Sequence, residues 1–188
     1  MNSILKIKNL NKVNLEKIDF FNNLDFRYKP SSVFILIFSS KNKDEILFLK
    51  RSNNLELHKG EICFPGGSYE DDDRDLLNTA YRELEEEVGI KKSDINALAF
   101  LEDEITRTGF IIKPFVGIVN KQVKIKIDNK EIIDYFKLPI EIFKDKENKR
   151  YFYSVINNNL EKKVSYSIQG RLIWGATANI LNQFLDKI

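Results

Sequence analysis

The sequence predicts an α+β fold in which helices cover a mixed sheet. Short apolar runs that are rich in aromatic and β-branched residues recur along the chain and are typical of buried strands. One internal segment, from about Asp73 to Val88, repeats its apolar residues at helical spacing. A second helical pattern begins near Trp174. Many strands together with two helices therefore favour an α+β architecture.

The composition is that of an ordinary globular domain. Of the 188 residues, 43% are hydrophobic and 31% are charged, so we predict one domain over residues 1–188 with an N-terminal arm at residues 1–30. The net charge of +2 argues against a nucleic-acid partner. No apolar run reaches the ~18 residues of a membrane span, and Lys and Asn interrupt the first residues too often for a signal peptide. We therefore expect neither a nucleic acid nor a membrane as partner.

The single cysteine favours a reducing compartment. Cys63 has no second cysteine with which to form an internal disulfide, so we expect a cytoplasmic protein. As a nucleophile Cys63 would need a nearby base, and His58 is the one histidine; we interpret Cys63 as an ordinary strand residue. The sequence leaves a monomer and a homodimer open.

The first half of the chain is predicted to contain strands that lead to a glycine turn. Residues 1–30 form a helix or an irregular arm. Strands are predicted at 32–38 (SVFILIF), 46–51 (ILFLKR) and 61–64 (EICF). The third strand ends at Pro65-Gly66-Gly67, a strong breaker of regular structure.

The internal helix has sequence signals at both of its ends. Asp71 to Asp75 supply acids for its N-terminal region, with Asp72 or Asp73 as the expected cap. The helix runs to about Val88 and stops at Gly89, which suits the left-handed conformation that follows many helices.

The second half of the chain is predicted to add further strands before the last helix. These strands lie at residues 97–105, 113–119, 123–127, 150–156 and 163–168. The last two flank an Asn-rich turn and should form a hairpin. The last helix carries Ile180, Leu181, Phe184 and Leu185 at helical spacing.

Carboxylates gather on one stripe of the internal helix, in the stretch RELEEEVGI. At about 100° per residue, Glu83, Glu86 and Glu87 lie within roughly 100° of one another, while Glu85 lies on the far flank. Arg82 falls beside Glu86, where it could pair with a carboxylate and orient it. The stripe is either a solvated acidic face or a cation site.

A cation site explains the position of these acids better than a solvated face does. Like charges at i,i+4, as in Glu83 and Glu87, repel, and acids near a helix C-terminus oppose the helix dipole. A divalent cation removes both conflicts. Mg²⁺ takes oxygen ligands, usually one or two carboxylates together with substrate phosphates, which points to phosphoryl or pyrophosphoryl chemistry.

The helix and its preceding loop resemble a known family signature. The stretch GSYEDDDRDLLNTAYRELEEEVGI, from Gly67, resembles the box of Nudix hydrolases. Its second half matches at Arg82, Glu83, Leu84, Glu86, Glu87, Gly89 and Ile90. In the first half the acid is Asp73 rather than Glu, and eight residues rather than seven separate it from Arg82. The longer spacing resembles the coenzyme A pyrophosphatase branch.

Two other stretches are similar to the same branch. The first, at 47–67, runs LFLKRSNNLELHKGEICFPGG and contains the Arg, Ser and Phe-Pro-Gly-Gly of the branch signature. The second, IWGATANIL at 173–181, is similar to its Trp-Gly-x-Thr-Ala segment. The branch has a second Arg, associated with substrate recognition, where this chain has Glu56.

The resemblance implies a Nudix-type α/β/α sandwich with a mixed sheet, in which the box forms a loop–helix–loop. It also implies hydrolysis of a diphosphate, with Mg²⁺ or Mn²⁺ as cofactor and a small molecule as partner. For coenzyme A the products would be 3′,5′-ADP and 4′-phosphopantetheine. The alternatives are another nucleoside-diphosphate derivative, such as a sugar nucleotide or a dinucleoside polyphosphate, and a sensor that binds a nucleotide without cleaving it.

Roles can be assigned to individual residues on this basis. The predicted metal ligands are Glu83, Glu86, Glu87 and the carbonyl of Gly67. The predicted catalytic residues are Arg82, Glu83 and Glu86. Arg51 and Gly66 are predicted to bind substrate phosphates. The acids at 102–104 (EDE) are an alternative source of a general base, and Trp174 and Thr177 are expected to close the core, with direct substrate contact as the alternative.

Overall fold

The structure of the protein is a computed structural model that describes residues 25, 27–40, 43–119, 122–127, 129–156 and 159–188. Most of the predicted arm at 1–30 and part of the Asn-rich turn lie outside these residues. The predicted α+β class is confirmed, because a mixed sheet is covered by helices on both of its faces. None of the described helices is long and apolar enough to cross a membrane.

Two α-helices and eleven strands make up the described elements. The helices are α1 (Leu76–Val88) and α2 (Gly175–Asp186), with short 3₁₀ helices at Lys92–Asp94 and Ile140–Lys144. The strands are β1 (Lys29–Ser39), β2 (Asp44–Arg51), β3 (Ile62–Cys63), β4 (Gly66–Ser68), β5 (Ile95–Phe100), β6 (Glu104–Ile105), β7 (Phe110–Val119), β8 (Ile132–Pro139), β9 (Lys149–Ile156), β10 (Asn159–Ile168) and β11 (Arg171–Ile173).

The main sheet has eight described strands around β1. Its order is β3-β2-β1-β7-β5, with β4 paired to β1, β6 to β7 and β8 to β2. β1 and β7 run parallel along Lys29–Ile37, whereas the other pairs in this sheet are antiparallel. The predicted hairpin is confirmed, because β9 and β10 pair antiparallel within a second sheet of order β11-β10-β9.

Alternation along β1 divides the hydrophobic core into two layers, since successive side chains of a strand point to opposite faces. Phe34 and Leu36 pack against α1, in a cluster that includes Leu77, Ala80, Leu84 and Val88. Ile35 and Ile37 pack on the other face, in a cluster that includes Ala178, Leu181 and Phe184 of α2. The sheet therefore lies between the two helices, as the predicted α/β/α sandwich requires.

The internal helix has the expected C-terminus but a different N-cap. Gly89 ends the helix with φ of 70°, as predicted. The cap is Asp75, whose Oδ1 accepts a hydrogen bond of 2.8 Å from the Asn78 N–H. The prediction of Asp72 or Asp73 was wrong because Asp73 is engaged in tertiary contacts, among them a bond of 2.9 Å from the Thr79 hydroxyl.

The strands of the second half differ from the prediction, and the predicted strand at 97–105 is divided into β5 and β6. Residues 123–127 form no strand in the described structure, although alternate side chains still pack against the core and Lys126 N–H donates to the Val88 carbonyl. β8 was missed at the sequence level. It is an edge strand in which only Ile132 and Leu138 are fully buried, so its sequence lacks a clear alternation.

Candidate active site

A glycine loop lies directly against α1 and makes the centre of the candidate site. The N–H of Gly66 donates a hydrogen bond of 2.9 Å to Glu87 Oε2. Gly66 has φ of 146°, and a Cβ there would lie 2.6 Å from Val33 Cα. Only glycine fits this backbone, because both its conformation and the approach of β1 exclude a side chain.

The next residue, Gly67, brings the loop against a second glutamate. A Cβ at Gly67 would lie 2.5 Å from Cδ of Glu83, closer than real Cβ atoms come to other heavy atoms. The Glu83 carboxyl therefore occupies the space that a side chain at position 67 would need. The two glycines place the loop backbone beside both carboxylates.

Burial makes these two carboxylates difficult to ionise without a cation. Glu87 is 6% exposed, and loss of solvent raises its pKa from 4.5 to about 8, against the opposing effect of the Gly66 hydrogen bond. The negative charge of Glu83 raises the pKa of Glu87 further. Burial likewise raises the pKa of Glu83, although Arg82 opposes the shift.

Arg82 ties the helix to the loop that precedes it. Its Nε and Nη2 donate to the two carboxylate oxygens of Asp73, each at 3.0 Å. Its Nη1 donates to Glu83 at 3.0 Å and to Glu86 at 3.2 Å, and Nη2 also reaches the Ser68 carbonyl at 2.9 Å. Such a bidentate, branched arrangement needs the planar guanidinium of arginine.

The arginine also controls the charge of Asp73. Burial alone would raise the pKa of Asp73, but the hydrogen bond from Arg82 and two further donors lower it overall. The same contact raises the pKa of Arg82 above its ordinary value. Asp73 therefore stays ionised and acts as the anchor that fixes the Arg82 side chain.

The three glutamates of the predicted stripe differ in burial in the structure. Glu86 has 60% of its side chain exposed and turns toward Arg82, and Glu85 is exposed on the far flank as expected. No group of three or more Asp, Glu, His or Cys side chains among the described residues is arranged as a metal cage. The buried part of the candidate site consists of Glu83 and Glu87, with Glu86 at its edge.

Arg51 reaches the same site from the end of β2. Its side chain is 23% exposed, and its positive charge lowers the pKa of Glu87. The Nε atom of Arg51 is buried without a hydrogen-bond partner in the described structure. A buried donor without a hydrogen-bond partner, close enough to Glu87 to lower its pKa, is well placed for an anionic ligand atom.

Sequence reasoning missed Glu131, which immediately precedes β8. The Ser52 N–H donates to its carbonyl at 2.7 Å, and its Oε2 lies 3.9 Å from Arg51 Nη2. Its charge raises the pKa of both Glu83 and Glu87. No local signal identifies it, because the pairing of β8 with β2 brings it to the site.

Three of the other candidates, Asp103, Glu104 and His58, have partners outside the carboxylate pair, whereas Cys63 lies near Arg51 and Glu87. Asp103 pairs with Lys113 at 2.5 Å, and Glu104 accepts from Asn179 of α2 at 2.7 Å, so two of the three predicted acids at 102–104 have structural partners. Burial raises the pKa of Cys63 to about 12, which disfavours a thiolate. His58 contacts Glu61 at 3.0 Å.

The expectation that Trp174 closes the core was wrong. Its side chain is 45% exposed, at the N-cap of α2, whereas Ala178 one turn later is buried. Thr177 is partly buried. The core under α2 is instead filled by Ile180, Leu181 and Phe184.

The donors present in the site suit a hard divalent cation. Glu83 and Glu87 supply carboxylate oxygens, and the missing Cβ of Gly67 leaves the backbone directly beside Glu83. Mg²⁺ is usually bound by one or two protein carboxylates, and water and substrate phosphate complete its coordination. The residues therefore fit Mg²⁺ or the similar Mn²⁺ ion.

Comparisons with known proteins point to one family. A family model described as NUDIX domain matches residues 28–155. The uncharacterized Nudix hydrolase NudL of Yersinia enterocolitica is 30% identical over 145 residues, 76% of this chain and 73% of that protein. The chloroplastic Nudix hydrolase 22 of Arabidopsis thaliana is 34% identical over 163 residues, 83% of this chain and 54% of that protein.

The fold comparison agrees with the family model. The crystal structure of a C. elegans Ap4A hydrolase binary complex matches with a TM-score of 0.51 and 18% identity, over 59% of this chain and 80% of that one. At this identity the match bears on the fold alone. It supports the α+β assignment made from the strand order and the two helix layers.

Proposed function

The chain belongs to the Nudix hydrolase family, and from this premise we propose that it cleaves the diphosphate of coenzyme A or of an acyl derivative. It is a pyrophosphatase, a hydrolase that acts on phosphoric anhydrides of small molecules. The proposed products are 3′,5′-ADP and 4′-phosphopantetheine or its acyl form. The single free cysteine supports a cytoplasmic location.

The observation that carries the chemistry is the contact of the Gly66–Gly67 loop with Glu83 and Glu87. It sets two poorly solvated carboxylates beside a closely approaching backbone. We propose Glu83 and Glu87 as metal ligands, with Glu86 and the Gly67 carbonyl as further candidates. When bound, Mg²⁺ or Mn²⁺ would offset the charge of the diphosphate and lower the pKa of the attacking water.

The chain's own residues bind the diphosphate, orient a metal-binding carboxylate and accept a proton from the attacking water. Arg51 is proposed to bind a diphosphate oxygen through its buried Nε, and Gly66 is proposed to let the loop backbone approach the phosphates closely. Arg82 holds the Glu83 carboxylate in place through its bond to Asp73. Water adds to phosphorus and the P–O–P anhydride bond breaks. The proton of the water passes to a carboxylate, for which Glu83, Glu86 and Glu131 are candidates.

Three sequence features support coenzyme A as the substrate. They are the eight-residue spacing between Asp73 and Arg82, the Phe-Pro-Gly-Gly segment that ends at Gly67, and the Trp-Gly-Ala-Thr-Ala segment that begins at Trp174. Glu56 favours a second candidate, another nucleoside-diphosphate derivative. It lies exposed in the loop after β2, at the position where the branch has Arg.

A substrate panel separates these two candidates. Wild type and Glu56→Arg would be incubated with Mg²⁺ and coenzyme A, acetyl-coenzyme A, ADP-ribose, a sugar nucleotide and a dinucleoside polyphosphate. Coenzyme A turnover with the highest kcat/KM is the expected result, and Glu56→Arg should lower its KM. Turnover of the other compounds without any coenzyme A form would contradict the proposed substrate but leave the pyrophosphatase chemistry intact.

A further inference from the structure

A groove of about 600 Å³ lies on the opposite side of β2 from the carboxylate pair. Its walls come from the end of β2, the loop before β3, β8 and the turn between β10 and β11. Three cationic side chains line it, namely Lys50, Lys59 and Arg171, together with the aromatic ring of Trp174. None of these residues takes part in the chemistry proposed above.

The groove has an excess of positive charge. Two acids, Glu61 and Asp134, also line it, so the three cations leave a net charge of +1. Within the described part of the chain, the three cations of the groove form no ion pair. Cations that face a cavity without an ion pair favour an anionic ligand.

The aromatic wall of the groove favours a planar group. Trp174 is 45% exposed at the groove, and the guanidinium of Arg171 lies 4.5 Å from the centre of the Phe136 ring. Trp174 is also the N-cap of α2, whose first turn has no side-chain cap. An aromatic surface stacks on nucleobases and an uncapped helix N-terminus attracts phosphate. Together these features describe a ligand with both a nucleobase and a phosphate.

The groove and the carboxylate site flank the same strand end. Lys50 and Arg51 are consecutive residues of β2, and successive side chains of a strand point to opposite faces. Lys50 faces the groove, while Arg51 approaches Glu87. A ligand that contacts both sites must therefore pass around the end of β2.

We propose that this groove is the nucleotide subsite of the enzyme and binds the base and the 3′-phosphate of its substrate, an inference that rests on the proposed coenzyme A pyrophosphatase function. The base stacks on Trp174, and Lys50, Lys59 and Arg171 surround the phosphate. Lys59 lies three residues after Glu56 in the same loop. It supplies there the positive charge that position 56 lacks.

The single tryptophan makes a direct test possible, because all tryptophan fluorescence comes from Trp174. The metal-free full chain would be titrated with 3′,5′-ADP and, separately, with 5′-AMP. We expect saturable quenching, with 3′,5′-ADP binding about tenfold more tightly than 5′-AMP. Lys59→Glu and Arg171→Glu should each raise the Kd for 3′,5′-ADP at least about tenfold. Arg150→Glu, an exposed cation outside the groove, should leave it unchanged.

Kinetics provide a second measurement of the same subsite. Lys59→Glu and Arg171→Glu should raise KM for coenzyme A about tenfold with little change in kcat, and should change KM for 3′-dephospho-coenzyme A by less than about twofold. Equal effects on both substrates, or no quenching of wild type by 3′,5′-ADP, would overturn the subsite. If wild type hydrolyses no form of coenzyme A, the proposed function is wrong. The fluorescence titration with 3′,5′-ADP then tests nucleotide binding in the groove independently of that function.

Discussion

The Gly66 N–H donates a hydrogen bond of 2.9 Å to Glu87 Oε2, joining two residues that lie 21 positions apart. The bond is made by a backbone whose φ of 146° only glycine adopts readily. It holds the carboxylate of Glu87, a residue of the helix that is only 6% exposed. The folding of the glycine loop and the position of the glutamate are therefore coupled.

The burial of the Glu87 carboxyl predicts that the metal-free protein becomes less stable as the pH rises. Burial raises the pKa of Glu87 to about 8, so the folded state favours the protonated carboxyl. The stabilisation is complete below the ordinary pKa of 4.5, which applies to the unfolded state, and is lost as the pH rises through about 8. At about 1.4 kcal/mol per pKa unit, the loss amounts to a few kcal/mol.

Thermal unfolding in EDTA between pH 5 and pH 9 measures this effect, with Glu87→Gln as the reference. The stability of wild type relative to Glu87→Gln should fall with rising pH. Saturating Mg²⁺ or Mn²⁺ at pH 8.5 should raise the Tm of wild type but not that of the variant. A Tm of wild type that metal leaves unmoved would contradict the assignment of Glu87 as a ligand.

The two loop glycines should respond differently to alanine. A Cβ at Gly67 meets the Glu83 carboxyl, the end of a side chain that can rotate away from Arg82, so Gly67→Ala should keep its fold while kcat falls at least about tenfold. A Cβ at Gly66 meets the backbone of Val33, so Gly66→Ala should unfold at a lower temperature. Circular dichroism melts and diphosphate hydrolysis would distinguish them. Ser68→Ala, an exposed neighbour, serves as the control and should match wild type in both.

Arg82→Lys should weaken the site without removing any metal ligand. Lysine cannot span the two oxygens of Asp73 and the Glu83 carboxylate at once, so Glu83 loses its fixed orientation. Losses of about 10- to 100-fold are typical when the support of a metal ligand is removed. The readouts are kcat and the Mn²⁺ concentration that half-maximally raises Tm. Arg74→Lys changes an exposed arginine nearby, and an equal loss there would point to a nonspecific cause.

The four glutamates of RELEEEVGI should differ in importance according to burial. Glu83→Gln and Glu87→Gln should each lower kcat/KM at least about 100-fold, because both carboxylates face the glycine loop. Glu86→Gln, exposed and paired with Arg82, should cost about tenfold. Glu85→Gln should stay within about twofold of wild type, as exposed substitutions usually do. Steady-state hydrolysis of one substrate by all four variants tests the ranking, which equal losses would contradict.

Much of the site could be predicted because its main elements are local in sequence. The helix period places Glu83 and Glu87 on one stripe, and the breaker at Pro65-Gly66-Gly67 marks a turn before the helix. Gly89 signals the helix end in the same local way. The N-cap could not be chosen among adjacent acids, because Asp73 was diverted by Arg82, a contact across nine residues.

The sequence by itself determined the α+β class, the C-terminal end of the internal helix and the glutamates that share one stripe of it, since hydrophobic period and breakers are local signals. Only the tertiary structure decided which carboxylates are buried, because burial depends on strands far away in the chain. It also brought Glu131 beside Arg51 and placed Trp174 and Lys59 on the walls of one groove. Strand pairing makes these contacts, and no local pattern encodes them.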